Sequence, residues 1–170
     1  RREYMRPAES ELLRTRHHGG NNSINVVDLD YFKAINDRHG HPAGDKVLIH
    51  VANGLREGVR NTELVARYGG EEFVVLLPQT DIDAAATLAQ KLRRQLRESK
   101  AQISSDLQLS ATASFGVACM PGGHTGTVAA LYAAADNALY DAKRAGRDRV
   151  ARSEPDATLT PSDFQRMRRS

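Results

Sequence analysis

The sequence predicts an α/β domain built on one mixed, mainly antiparallel sheet of about five strands, flanked by helices. Three observations carry that expectation. Two runs rich in β-branched and aromatic residues, within residues 64–78, flank Gly69-Gly70, and glycine supplies the positive φ that a tight hairpin turn needs. Residues 107–119 alternate, with Leu107, Leu109, Ala111, Ala113, Phe115, Val117 and Cys119 on one side and Gln108, Ser110, Thr112 and Ser114 on the other. That pattern predicts a long strand with one face buried, antiparallel to a neighbour. Helical stripes separate these strands, and a sheet that holds both a hairpin and helical crossovers is mixed.

In chain order, residues 1–16 read as a polar helix anchored by Tyr4, Met5, Leu12 and Leu13. His17-His18-Gly19-Gly20-Asn21-Asn22 reads as a loop, and its paired histidines, lacking a spaced acid or cysteine partner, read as solvated side chains rather than a zinc site. Residues 24–29 form an apolar run of strand length that closes on Asp28-Leu29-Asp30. A helix over residues 31–38 follows, with Asp28 or Asp30 available as its N-cap, and Gly40-His41-Pro42 breaks it. Val47, Leu48, Val51, Ala52, Leu55 and Val59 predict a second helix over 45–59, and Arg60 to Glu63 connect it to the hairpin. Asp81 caps a helix whose stripe is Ile82, Ala85, Leu88, Ala89, Leu92 and Leu96. After the alternating strand, residues 126–145 predict a helix stopped by Gly146, and residues 149–151 a last short strand. From Ser153 the composition turns to Ser, Pro, Asp, Thr and Arg. The expected organisation is therefore one domain over 1–152, trimmed at its start, and a flexible tail over 153–170.

Composition excludes several function classes. No apolar run approaches the length of a membrane span, so any membrane attachment would come from a region N-terminal to this chain. The net charge of +3 is too mild, and too little interleaved with aromatics, to predict binding to a nucleic-acid polymer. The single cysteine, Cys119, has no internal disulfide partner and sits in the apolar alternation, which fits a reducing, cytoplasmic setting.

The residues that stand out chemically are acids in unusual places. Glu71 and Glu72 occupy the hairpin turn, where structure alone requires no carboxylate, and Asp28 ends a strand expected in the same sheet. If that strand lies beside the hairpin, three acids meet at one spot, and they stay ionised together only when a cation neutralises them. Oxygen-only donors of this kind suit Mg²⁺ with phosphate oxygens. Lys33, Lys143 and Arg147 are candidate phosphate partners, although the last two also suit a helix C-terminus on dipole grounds. Asn36, His41 and Asp45 bracket the broken helix. An amide and a carboxylate can read the acceptor and N–H donors of guanine, although turns favour Asn, Gly and Asp too.

Gly69-Gly70-Glu71-Glu72-Phe73 resembles the signature of the GGDEF diguanylate cyclase family. The likeness extends to Asp28-Leu-Asp30-Tyr-Phe32-Lys33-Ala-Ile-Asn36-Asp37 with Gly40-His41-Pro-Ala-Gly44-Asp45, to Arg67-Tyr68, to Thr112-Ala-Ser114-Phe-Gly116-Val, and to the block from Ala135 through Gly146-Arg147. It covers residues 24–150. The resemblance implies a fold like that of nucleotidyl cyclases and polymerase palms, and the condensation of two GTP into cyclic di-GMP and two pyrophosphates. It implies that Asp28, the Leu29 carbonyl, Glu71 and Glu72 hold Mg²⁺ or Mn²⁺, two ions per active half-site. Glu71 would be the base for the ribose 3′-hydroxyl and Lys33 would assist catalysis. Gly69 and Gly70 would let the backbone approach the nucleotide. Asn36, His41 and Asp45 would lie at the guanine, and Arg67, Lys143 and Arg147 would help hold the substrate. Each domain would hold one GTP, so catalysis would need a homodimer.

Three departures from the family pattern are visible. Only Arg1-Arg2 could be the remnant of the turn with which the family usually opens. The product-inhibition motif Arg-x-x-Asp reads Arg60-Asn-Thr-Glu63, one methylene longer, which implies inhibition that is weakened or absent. Asp148 stands where the family commonly has Asn. The rival readings are a degenerate domain that binds GTP or cyclic di-GMP and signals through a partner, and a cyclase using one nucleotide per product. Intact Glu71 opposes the first, and Asn36 with Asp45 opposes the second.

Overall fold

The computed structural model describes residues 20–122 and 126–153. Residues 1–19, expected as a helix and a His-containing loop, and residues 154–170 of the expected tail lie outside the described part. The elements are β1 (Asn22–Leu29), α1 (Phe32–His39), α2 (His41–Gly58), β2 (Leu64–Gly69), β3 (Glu72–Pro78), α3 (Ile82–Glu98), β4 (Ala101–Gln102), β5 (Gln108–Leu109), β6 (Ala113–Met120), α4 (Val128–Arg144) and β7 (Val150–Ser153). The main sheet runs β2-β3-β1-β6-β7. Every neighbouring pair is antiparallel except β6 with β7, which is parallel, so the sheet is mixed and mainly antiparallel, as expected.

Helices cover both faces. Val27 and Leu29 of β1, Phe73, Val75 and Leu77 of β3, and Phe115 and Val117 of β6 pack with the apolar stripes of α2 and α3. Ile24, Val26, Val74, Leu76 and Ala118 point the other way, onto Leu131, Ala134, Ala135 and Leu139 of α4. The two-residue side-chain period of a strand therefore carries Asp28 onto the α4 face. Fully burying each large aliphatic side chain contributes about 2 kcal/mol, so this sandwich dominates stability. Among the described residues no helix is long and apolar enough to cross a membrane.

Three expectations about elements need correction. Residues 107–119 are not one strand. Gln108–Leu109 pairs with Ala101–Gln102 in a separate ribbon, and the main-sheet strand starts at Ala113 and is buried on both faces. The side that looks polar in the alternation is instead a side of small residues. At Gly116 an added Cβ would lie 2.0 Å from the Ala135 carbonyl oxygen and 2.3 Å from the Leu139 nitrogen, so the α4 backbone rests directly on the strand. The second helix begins at His41, not Asp45. Gly40, at φ 84°, makes the break alone, and Pro42 sits in the first turn of α2, where its missing N–H costs nothing. Neither Asp28 nor Asp30 caps α1. Tyr31 occupies that position at φ 57° without a side-chain cap bond. Asp81 does cap α3, accepting from the Ala84 N–H at 2.8 Å.

Candidate functional site

Strand pairing builds the centre of the site. Asp28 lies in register with Glu72 of β3 on one side and Ser114 of β6 on the other. Just beyond, the Leu29 N–H donates to the Glu71 carbonyl at 3.3 Å, which ties the end of β1 to the hairpin turn. The C-terminal end of α4 comes down on the same face, and Lys143 Nζ sits 2.9 Å from Asp28 Oδ2. Only 10% of the Asp28 side chain is exposed. Burial pushes its carboxyl above the usual carboxylate range. The Lys143 ammonium opposes that shift, and the charges of Glu71 and Asp30 add to it.

The backbone brings Asp28, Glu71 and Glu72 to one spot as expected, with Asp28 opposite Glu72 and Leu29 tied to Glu71. Among the described residues no three His, Cys, Asp or Glu side chains form a metal-holding group. The acids that feel each other at this point are Asp28, Glu71 and, behind them, Asp30, with Lys143 supplying the neutralising charge. Asp30 is taken up by hydrogen bonds, described below. The donor set of Asp28 and Glu71 is all oxygen and carries excess negative charge against a buried carboxylate, which fits a hard divalent cation.

The turn is held from inside the hairpin. Arg67 donates from Nε at 2.9 Å and Nη2 at 2.7 Å to the Gly70 carbonyl, so its guanidinium clamps the turn that carries Glu71. Gly70 has φ 51°, a region that favours glycine. An added Cβ at Gly69 or Gly70 would meet nothing within 4 Å, so the space above the turn is open.

A second group forms where α1 folds back on α2 at Gly40. Asn36 lies against Gly44, close enough that a Cβ on Gly44 would stand 1.9 Å from Asn36 Oδ1. That oxygen is buried and accepts no hydrogen bond from the protein. An unsatisfied buried acceptor is costly, so one aimed beside Gly44-Asp45 is a candidate for a ligand N–H. Asp45, His41 and Lys33 are exposed on the same two helices.

Arg147 and its neighbours were only partly legible. Gly146, Arg147 and Asp148 all have positive φ, and the Arg147 guanidinium lies 4.9 Å from the Tyr31 ring centroid. Asp30, a candidate helix cap, is instead buried at the centre of a network. It accepts from Thr112 Oγ1 at 2.8 Å, Ser114 Oγ at 2.7 Å and the Asp148 N–H at 3.0 Å. Asp148 in turn pairs with Arg93 at 2.8 Å and Arg97 at 3.3 Å, which gives its extra charge, relative to the family's usual Asn, two partners. The available signal was the spacing: Asp28 and Asp30, like Thr112 and Ser114, stand two apart and so share a face.

Arg60 and Glu63 are not part of this centre. They line a separate cavity of ≈ 430 Å³ with Asp81 and Lys91. The Glu63 carboxylate accepts the Arg60 N–H at 2.6 Å.

Known proteins place this arrangement in a family. A model of the family described as "Diguanylate cyclase, GGDEF domain" matches residues 1–149. Diguanylate cyclase DgcP of Pseudomonas aeruginosa is 44% identical over 142 residues, which are 84% of this chain and 21% of that protein. Among solved structures, the active GGEEF domain of a diguanylate cyclase from Vibrio cholerae superposes with a TM-score of 0.81 at 30% identity, covering 90% of this chain and 96% of that one. The GGDEF domain of DgcB from Caulobacter crescentus in complex with c-di-GMP gives 0.82 at 29% identity, with 89% of each chain covered. The chain spans between 21% and 35% of the length of the curated relatives it matches.

Proposed function

The chain belongs to the GGDEF diguanylate cyclase family, and on that premise we propose that it condenses two GTP into cyclic di-GMP and two pyrophosphates. The observation that carries the proposal is the junction of β1 with the hairpin turn. A buried Asp28 there feels the charge of Glu71 and is paired to Lys143 at 2.9 Å.

The residues divide the work. Asp28, Glu71 and the Leu29 carbonyl would hold Mg²⁺ or Mn²⁺, two ions per half-site, with Glu72 contributing. Bound there, the ions would acidify the attacking hydroxyl and neutralise charge on the transferring phosphoryl group. Glu71 accepts the 3′-hydroxyl proton as the new O–P bond forms and the α-phosphate's bond to pyrophosphate breaks. Lys33, Lys143 and Arg147 hold the phosphates, and positioning charge at a phosphoryl centre supplies most of the catalysis in such reactions. Asn36 reads the guanine acceptor through its amide, Asp45 reads the N–H donors, and His41 lies beside them. Arg67 keeps the turn in place, and Gly69 and Gly70 leave room above it. Each 3′-hydroxyl must attack the other nucleotide's α-phosphate, so two domains meet face to face. Arg60 and Glu63 form a product-binding surface, weakened because Glu63 is already bonded to the Arg60 backbone.

The test is incubation of the full-length protein, in its activated form, with GTP and Mg²⁺, followed by chromatography of the nucleotides. Cyclic di-GMP from the wild type and none from Glu71→Gln is the expected result. Nucleotide binding without any product would instead support a non-catalytic binding module.

A further inference from the structure

Arg147 sits in a turn that the backbone does not favour. Gly146, Arg147 and Asp148 have φ of 117°, 61° and 43° in succession, and the last two have side chains. Two consecutive non-glycine residues in the left-handed region are strained, and such a conformation persists only where its surroundings over-determine it. The chain's own hydrogen bonds do part of this, since the Arg147 N–H reaches the Ala142 carbonyl at 3.1 Å. Arg149 Nε adds a local bond to the Arg147 carbonyl at 3.1 Å, and two side chains far away in sequence hold Asp148. The Asp30 carboxylate, held by Thr112 and Ser114, accepts the Asp148 N–H at 3.0 Å. Arg93 of α3 donates to the Asp148 carbonyl at 3.0 Å and to its carboxylate at 2.8 Å. Both backbone polar groups of Asp148 are therefore gripped by charged groups. The Arg147 guanidinium rests on the ring of Tyr31, the residue that follows Asp30 and is itself at φ 57°.

We propose that Asp30 and Arg93 are positioning residues that clamp the Gly146–Asp148 turn and thereby aim Arg147 at the substrate phosphates. Asp28 and Asp30 then have separate duties at one strand end: the first faces the site and the second fixes the turn after α4 that carries Arg147. The inference rests on the proposed reading of Arg147 as a phosphate-holding residue.

A double-mutant cycle separates positioning from mere stability. The affinity of the full chain for α,β-methylene GTP, which cannot release pyrophosphate, is measured by calorimetry in Mg²⁺ for the wild type, Asp30→Asn, Arg147→Ala and the double variant, with the melting temperature of each. Asn at position 30 still accepts a hydroxyl hydrogen bond but presents a weaker acceptor to Asp148. The expected result is about tenfold weaker binding in each single variant, and a double variant no weaker than Arg147→Ala alone. Losses that multiply to about a hundredfold in the double variant, or an unchanged affinity in Asp30→Asn, overturn the inference. If Asp30→Asn does not fold, Arg93→Met, on the outer layer at α3, replaces it in the same cycle with the same two outcomes. Arg147→Ala binding as tightly as wild type would instead refute the role of Arg147 in substrate binding and remove the premise.

Discussion

Burial raises the Asp28 carboxyl because ionising it under α4 forfeits hydration, and the Lys143 ammonium restores only part of that loss. The sign follows from linkage. A carboxyl whose value is raised on folding stabilises the fold below its ordinary value, and that contribution is lost as pH rises through the raised one. In the metal-free protein the ionised form of this carboxyl is therefore the disfavoured one at its site. Asp28→Asn is expected to raise the melting temperature at pH 7 while abolishing cyclic di-GMP synthesis. The gain should shrink as pH falls through the carboxyl's raised value; a lower melting temperature at pH 7 would contradict this. Gly44 makes a second prediction. Ala at this position would drive the Asn36 amide away, with a contact of 1.9 Å to resolve, at a cost of about 1–3 kcal/mol. Gly44→Ala should fold less stably and lose about tenfold of its preference for GTP over ATP in competition binding, roughly the loss of one good hydrogen bond. At this scale the sequence announced Asp28 and Glu71 through their odd placement. It left Asp30 open as a possible cap, because an aspartate before a helix looks like one and its true partners, Thr112, Ser114 and Asp148, lie more than eighty residues away.

The hairpin works as an element because Arg67 bonds its turn twice. Arg67→Ala removes that clamp from an exposed position, where the two hydrogen bonds contribute about 1 kcal/mol net. The melting temperature should fall only slightly, whereas kcat should fall about tenfold, because a turn that wanders by an ångström misplaces Glu71. Equal losses in GTP affinity and none in kcat would make Arg67 a substrate contact instead. The hairpin was legible because Gly-Gly between β-rich runs admits few other structures. The strand at residues 113–120 was misjudged in its start and its environment. Gln108, Ser110, Thr112 and Ser114 read as a polar face, yet Ser114 is buried with Gly116 and Ala118, and the smallness of Gly116 is what lets α4 lie on the strand; hydropathy alone does not distinguish a small buried residue from an exposed one.

For the whole molecule, the proposed reading gives each domain one nucleotide site and a chemistry that needs two. The rate per domain should therefore rise with protein concentration at saturating GTP and level off where the dimer dominates, as measured by pyrophosphate release over a dilution series. A rate per domain that is flat down to concentrations where sedimentation shows only monomer would contradict the two-domain mechanism. The chain order of the main-sheet strands, the helices between them and the mixed sheet were readable from periodicity, but the two-residue strands β4 and β5 were not. The parallel placement of β7 beside β6 was not, because strand order is set by long-range pairing and leaves no local mark. The central claim is that Asp28 and Glu71 share divalent ions over a guanosine triphosphate. Anomalous diffraction from crystals grown with Mn²⁺ and α,β-methylene GTP tests it most directly. The account predicts manganese peaks within about 2.2 Å of carboxylate oxygens from both residues, a bonding distance for hard cations on oxygen ligands. Manganese held by the nucleotide alone, with Asp28 still paired to Lys143, would contradict it.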